Sequence, residues 1–407
     1  MADTPQPGDA GDPDDRRFPP FSLDMTQLMR MLQSEGPVNW DIARQVAAWV
    51  ALEGRDEKTV HEDDREQLQD LARAAQTHVV GATGLTATFQ APVRALEPRA
   101  WADLHLEALR PVLEALATSL DQAVQRDLED LDPAEAAELF GGGELGADPL
   151  RAMLPALAPT LLGLQAGSMV GYLAQHALGR YDLPLPTGDA PSLTFVVPNI
   201  DRFEAQWSLP RADLRFYVAL HEVVHAAQRS VPWVQARLVG LAREYVAGYQ
   251  IDPDAFEARF GTIDPSDPAS LQGIAQDPGA LLGAMRTAEQ ELALGHLQVL
   301  TSVLEGHADF VLARVGQPLI PTFDRIHEAI ERHRLERGEA GRFIEGLLGL
   351  QLDREHYELG GAFCSGVVER VGTAGLERLW QGEDRLPTRP ELEAPGLWLA
   401  RIDLPDA

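Results

Sequence analysis

Cysteine is almost missing from this 407-residue chain, with Cys364 the one copy. No disulfide can form within the chain, and a Cys-rich zinc site is excluded. Lysine is equally scarce: Lys58 stands alone, and nearly every positive charge is arginine. Positive charge as a whole is short, with 34 Lys and Arg against 63 Asp and Glu, a formal net charge of −29 and a pI near 4.6. A field of that sign repels phosphate backbones and anionic lipid, which argues against nucleic-acid and membrane partners. The Ala-, Leu- and Arg-rich usage reads as genome composition, with adaptation to salt or heat as the alternative. A basic leader is lacking too. The opening stretch MADTPQPGDAGDPDDRRFPP is acidic and rich in Pro and Gly, unlike a signal peptide. Residues 1–20 read as a disordered lead-in, and the expected location is cytoplasmic.

What is present fits a soluble globular protein: 45% hydrophobic and 24% charged residues, over a length that allows more than one domain or subdomain. One segment is long enough to span a bilayer without a formal charge, between Arg151 and Arg180. Pro155, Pro159, Gln165, Ser168, Gln175 and His176 interrupt it, so it reads as a buried core helix. Gly163, Gly167 and Gly171 recur every four residues on one face, where another helix backbone can approach closely. The helix around residues 217–228 is a candidate for that partner.

Helical signals dominate. Asp24–Ser34 and Trp40–Leu52 have helical apolar spacing, and the charged run Asp56–His78 follows. Pro98 suits a helix start, with the pattern running through Leu128. Pro133 opens a short helix that ends at the break Gly141–Gly143. Leu193–Val197 (LTFVV) is the one good strand candidate. Ser208 can cap a helix reaching Arg229, with Pro210 near its first turn, and Pro232 opens another to about Tyr249. Asp252–Pro278 is loop-like, and a long helix runs from about Leu281 to Val315. The predicted fold is mainly α with a small β element. It divides into an N-terminal helical region (21–147), a metal-site core (148–320) and a C-terminal helical region (321–407).

The chemistry concentrates in YVALHEVVHAAQ, residues 217–228. Val218, Leu220, Val223, Val224 and the alanines surround two histidines and a glutamate. Burying Glu222 without a partner costs several kcal/mol, so the fold must compensate. In HEVVH, His221 and His225 stand four apart on one helix face and can clasp one Zn²⁺, with Glu222 positioned to accept a proton from water. The bland reading is a pair of hydrogen-bonded core histidines. A catalytic zinc needs a third protein ligand. Gln228 and Val231 occupy the positions where a metzincin would carry Gly and His, so that class is rejected. Glu244 and Glu305 compete for the third place. Asp309, four residues after Glu305, can hold an imidazole by its second nitrogen, whereas Gly248 follows Glu244. That favours Glu305 and leaves Glu244 as the alternative. His307 lies about 200° round the helix from Glu305 and, with His296 and His176, is expected to be a polar contact or surface residue.

HEVVH followed by EGHAD resembles the glutamate-ligand branch of the zincins, with its ExxxD second motif. More narrowly, GPVNWDIARQVA, LGRYDLPLP, VVPNIDRFEAQWSLP, ALHEVVH, VPWV and VLEGHADFVL resemble a bacterial family common in actinobacteria. Its members are described as zincin-like metallopeptidases or hydrolases, some tied by name to deazaflavin coenzyme biosynthesis, a link that no residue here supports. The likeness runs from about Phe21 to near the C-terminus, GLERLWQGEDRLPT included. It implies a zincin-like core, made of the HExxH helix, the ExxxD helix and a short edge strand, with an extra helical bundle. It also implies one zinc held by His221, His225 and Glu305, Glu222 as general base, and Asp309 supporting a ligand.

The reaction so implied is hydrolysis of an amide or ester. Tyr217, one turn before His221, is a candidate donor to the oxyanion, as are Tyr245 and Tyr357, and LTFVV could pair with an extended substrate. A metallopeptidase, a zinc hydrolase of a small amide or ester, and a protein with a purely structural metal all fit. A fourth position closed by a protein ligand would favour the last. The expected partner is a peptide or small amide. The sequence is silent on oligomeric state.

Overall fold

The side-chain oxygen of Asn39 accepts from the Ile42 amide at 3.1 Å, an N-cap worth about 1 kcal/mol. It opens α1, Trp40–Leu52, whose buried face carries Ile42, Ala43, Val46, Ala47 and Ala51. A computed structural model describes residues 36–52, 58–85, 93–130, 148–188, 192–248, 287–335 and 354–403. The expectations for 1–20, Asp24–Ser34, the helix after Pro133, the Gly141–Gly143 break and Asp252–Pro278 lie outside those residues. After α1 come α2 (Glu62–Thr83), β1 (Arg94–Leu96), α3 (Pro98–Asp130) and α4 (Asp148–His176). Then follow β2 (Thr194–Val196), α5 (Val197–Trp207), α6 (Arg211–Arg229) and α7 (Pro232–Ala247). Next are α8 (Ala288–Gly316), α9 (Phe323–Leu335) and α10 (Arg354–Val371), before short C-terminal helical turns. Among the described residues the chain is mainly helical with one small sheet, as the sequence predicts. Among the described residues, no helix is long and apolar enough to cross a membrane.

The glycine stripe of α4 does meet another helix, but the partner is α1. A Cβ on Gly171 would stand 2.8 Å from the Ala47 carbonyl oxygen, and Gly163 and Gly167 would clash with the Asn39 and Ala43 carbonyls in the same way. The expected partner, the HEVVH helix, is not the one that lies on the stripe. Ala43 and Ala47 give α1 a flat face at the same four-residue spacing.

Ser208 also differs from expectation. Its φ of 51° and ψ of 45° make it the left-handed C-cap of α5, and Pro210 sits at the N-cap of α6. The strand runs straight into α5 because Pro198, which has no N–H to lose, suits the first turn of a helix. β2 pairs in parallel with β1, Thr194 opposite Arg94. On its other side, Val196 donates to the Leu178 carbonyl at 2.8 Å and Phe195 bridges to Gly179. All three residues are buried. Both sides being taken, β2 cannot accept an extended substrate, which corrects that expectation for LTFVV.

Two apolar cores result. One joins α1, α3, α4, α7, α10 and the first part of α8. The other joins α2, β2, α5, α6, α9 and the last part of α8. Leu304 belongs to the first and Ala308 to the second, so Glu305 lies on their seam.

A buried histidine supports that seam. His105 stacks on Trp101 at 3.6 Å, and Trp101 donates to the Gly179 carbonyl at 2.7 Å. Burial pulls the His105 pKa down from 6.5 to about 4. The folded protein therefore keeps this ring neutral where the unfolded chain would protonate it. Stability present above pH 6.5 is lost as the pH falls toward 4, by about 3 kcal/mol from this group. Urea titrations at pH 7.5 and 4.5 should show His105→Gln losing less stability on acidification than the wild type. An equal loss in both would remove His105 as a cause.

Candidate metal centre

In α6 nearly every side chain from Leu214 to Arg229 is buried, including both histidines and the glutamate of the motif. One ligand atom from each of His221, His225 and Glu305 lies within 4.8 Å of the other two. The α6 pair comes from one helix face, and Glu305 reaches it from α8. The His225 and Glu305 side chains are each only 1% exposed, with Nε2 and Oε2 3.9 Å apart. Among the described residues, neither ring nitrogen of His225 has a hydrogen-bond partner, and neither has Glu305 Oε1. Orphaned donors and acceptors at such depth are costly. Burial pushes the Glu305 carboxyl above its usual range, opposed by Arg334, and holds His225 neutral. Two imidazoles beside a carboxylate form the donor set that divalent zinc takes, so the residues fit the ion.

Glu222 points elsewhere on the same helix. Its Oε1 accepts from the Tyr181 amide at 3.0 Å, while Oε2 accepts from the Arg180 amide at 3.0 Å and the Thr194 amide at 3.4 Å. This clasp explains the glycine in LGRYD: a Cβ on Gly179 would land on the Glu222 carboxylate. Burial raises the Glu222 pKa, against the pull of His221 and the backbone donors. Three of its roughly four lone-pair sites are filled by these amides. The one left is on Oε1, the oxygen 3.9 Å from His221 Nδ1. Asp182, His221 and Glu222 form a second close group, in which Asp182 also accepts from the Gly179 amide at 3.1 Å.

The other expected residues are distributed as follows. Asp309 Oδ1 accepts from Arg334 Nη1 at 3.4 Å. The Tyr217 hydroxyl pairs with His327 Nδ1 at 2.8 Å. Glu244 is exposed on α7, outside the ligand cluster. Tyr245 is buried in the first core. Tyr357 lies under the Arg334 guanidinium, 5.4 Å from its ring centre. His307 is buried and takes a hydrogen bond from Gln228 at 2.9 Å, whereas His296 and His176 are exposed.

Sequence reasoning overlooked Arg334. Its Nη2 donates to His221 Nε2 at 3.0 Å and lies 3.9 Å from Glu305 Oε2. A signal existed: Phe323, Ile326 and Ile330 form the buried stripe of α9, and position 334 continues it inward. An arginine there needs acidic company, which Asp309 and Glu305 supply. A cleft of about 340 Å³ reaches this point, lined among others by Tyr172, Asp182, Arg202, Tyr217, His221 and Arg334.

A family model for zincin-like metallopeptidases matches residues 38–399. The chain belongs to the zincin-like metallopeptidase family. Membership implies a metal-dependent hydrolase, typically one that uses zinc. This zincin-like chain is also similar to a solved structure, the crystal structure of "a putative hydrolase with a novel fold" from Chloroflexus aurantiacus. The two share 26% identity and superpose with a TM-score of 0.59, over 91% of this chain and 100% of the other. No curated protein matches the chain.

Proposed function

We propose that the protein is a zinc-dependent peptidase, with His221, His225 and Glu305 holding the ion and Glu222 as general base. The observation that carries this is the buried triangle of ligand atoms, all within 4.8 Å, whose His225 nitrogens have no hydrogen-bond partner among the described residues. Bound there, zinc supplies a Lewis acid that polarises a carbonyl and acidifies water. Glu222 then accepts the proton of the attacking water through its one unfilled lone-pair site and delivers it to the leaving nitrogen. Arg334, which faces His221 from the cleft, has no lone pair to give a metal, whereas the Asp182 carboxylate beside His221 does, so a structural metal closed by Asp182 is the competing reading. A cytoplasmic location belongs to the peptidase reading.

The cleft volume and the closed edge of β2 favour a small substrate, so a zinc hydrolase of short peptides or small amides and esters is the second reading. Zinc-replete protein incubated with a mixture of short peptides, N-acyl amino acids and esters, read by mass spectrometry, separates the two. Peptide cleavage that falls about a thousandfold in Glu222→Gln supports the first reading. Turnover of acyl amino acids or esters alone moves the function to the second. Protein with one zinc per chain that leaves every compound intact sinks both.

A further inference from the structure

We infer that Arg334 is a catalytic residue, the donor that binds the carbonyl oxygen of the substrate as negative charge develops on it. The inference rests on the hydrolase reading above and assigns the role first expected of Tyr217. The Tyr217 hydroxyl is already committed to His327 at 2.8 Å. Arg334 has what an oxyanion donor needs. It lines the cleft, so it faces whatever enters. Its Nη2 is 3.0 Å from His221 Nε2 and 3.9 Å from Glu305 Oε2, beside the ligand triangle. It is also held from behind, by Asp309 on Nη1 at 3.4 Å and by the Tyr357 ring beneath the guanidinium. A donor anchored beside the ligand triangle has little reorganisation left to do when charge appears.

The contact to His221 adds a second argument. Arg334 donates to the lone pair of Nε2, a lone pair of the kind a metal takes. Zinc on that lone pair would take the place of the Nη2–H, so the guanidinium would have to turn off His221 toward the cleft, with Asp309 and Tyr357 as its remaining anchors. A charged donor without an acceptor, at the inner end of a cleft, is then ready for an oxygen of the substrate. In the step, water adds to the carbonyl carbon and a C–O bond forms. The carbonyl π pair moves onto oxygen, which accepts the Nη2–H hydrogen bond. Collapse re-forms the C=O bond and breaks the C–N bond, and the proton taken from water goes to the departing nitrogen. Arg334 keeps its own proton throughout. A salt bridge that merely ties α9 to α8 would need Asp309 but would not need the cleft.

The test uses two probes on zinc-loaded full-length protein, by calorimetry. N-phosphoryl-Leu-Trp presents a tetrahedral anion resembling the adduct; acetohydroxamate binds a metal without one. Arg334→Gln is expected to weaken the phosphoryl probe about a hundredfold and acetohydroxamate less than about threefold, with Arg334→Lys in between. Zinc content measured on the same samples should stay near one per chain. Equal losses for both probes, an unchanged phosphoryl affinity, or a zinc-loaded wild type that ignores the phosphoryl probe would each overturn the assignment. Loss of zinc in both variants would also overturn it, since Arg334 would then be holding the ligands. Wild-type protein that takes up no zinc fails the hydrolase reading itself, which keeps the two outcomes apart.

Discussion

Replacing Glu305 with alanine will strip zinc from the protein, and replacing Glu244 will leave it in place. Glu305 supplies the carboxylate in the ligand triangle and comes from a different helix than the two histidines. Without it, two imidazoles on one turn of α6 remain, and two neutral ligands hold zinc poorly. Loss of an outer partner of a metal ligand typically costs 10- to about 100-fold in affinity, so loss of a ligand itself should exceed about a hundredfold. Glu244 is exposed on α7 and touches none of this. Elemental analysis of untagged protein, followed by chelator competition, reads both variants. Thermal melting gives an independent measure, because a metal that binds only the folded state raises stability with its concentration. Zinc that survives Glu305→Ala, or leaves with Glu244→Ala, would mean the triangle is not the site. Wild-type protein that neither carries zinc nor takes it up would end the metal reading altogether.

The second large effect is expected next door, at Gly306. α8 and α10 cross there backbone to backbone: a Cβ on Gly306 would fall inside contact distance of the Gly360 carbonyl carbon and the Gly361 nitrogen. These are main-chain atoms and cannot swing away, so Gly306→Ala must push the two helices apart. Overpacking of this kind costs about 3 kcal/mol. Because Gly306 follows Glu305 directly, the same displacement should move the carboxylate and weaken zinc binding. Gly361→Ala is the control. A Cβ there meets nothing within 4 Å, and the gain in helix propensity should make the variant as stable as wild type, or up to about 1 kcal/mol more so. Denaturant unfolding of the two apo variants measures the contrast. Equal stability for both would show that the crossing tolerates a methyl group.

Much of this was readable before any coordinates, and the misses have physical causes. α1 begins and ends where the apolar spacing predicts, and Pro232 opens α7 as its ring geometry suggests. The His221, His225 and Glu305 set could be picked out because a polar group in an apolar helix demands a partner. The partners of that set were harder. Arg180, Tyr181 and Thr194 hold Glu222 through backbone amides, and a sequence gives no side-chain signal for a main-chain donor. Gly179 was visible as a letter in LGRYDLPLP, but its reason, room for a carboxylate arriving from residue 222, is tertiary. Ser208 misled because a serine before a proline looks like a cap from either side. The glycine stripe of α4 predicted a close helix without naming it, since any face of small residues would serve.

The pairing of β1 with β2 joins residues one hundred positions apart in the chain, Arg94 with Thr194, and the backbone around β2 is what clasps Glu222. Glu305 in turn arrives eighty residues after His225. Closing loops of that length requires chain entropy to be lost before any contact rewards it, and such contacts form slowly. The α6 helix can form from local contacts, whereas Glu305 joins its histidines only when α8 packs against α6. A metal that needs all three groups would therefore find them together in the folded chain and not in the emerging one.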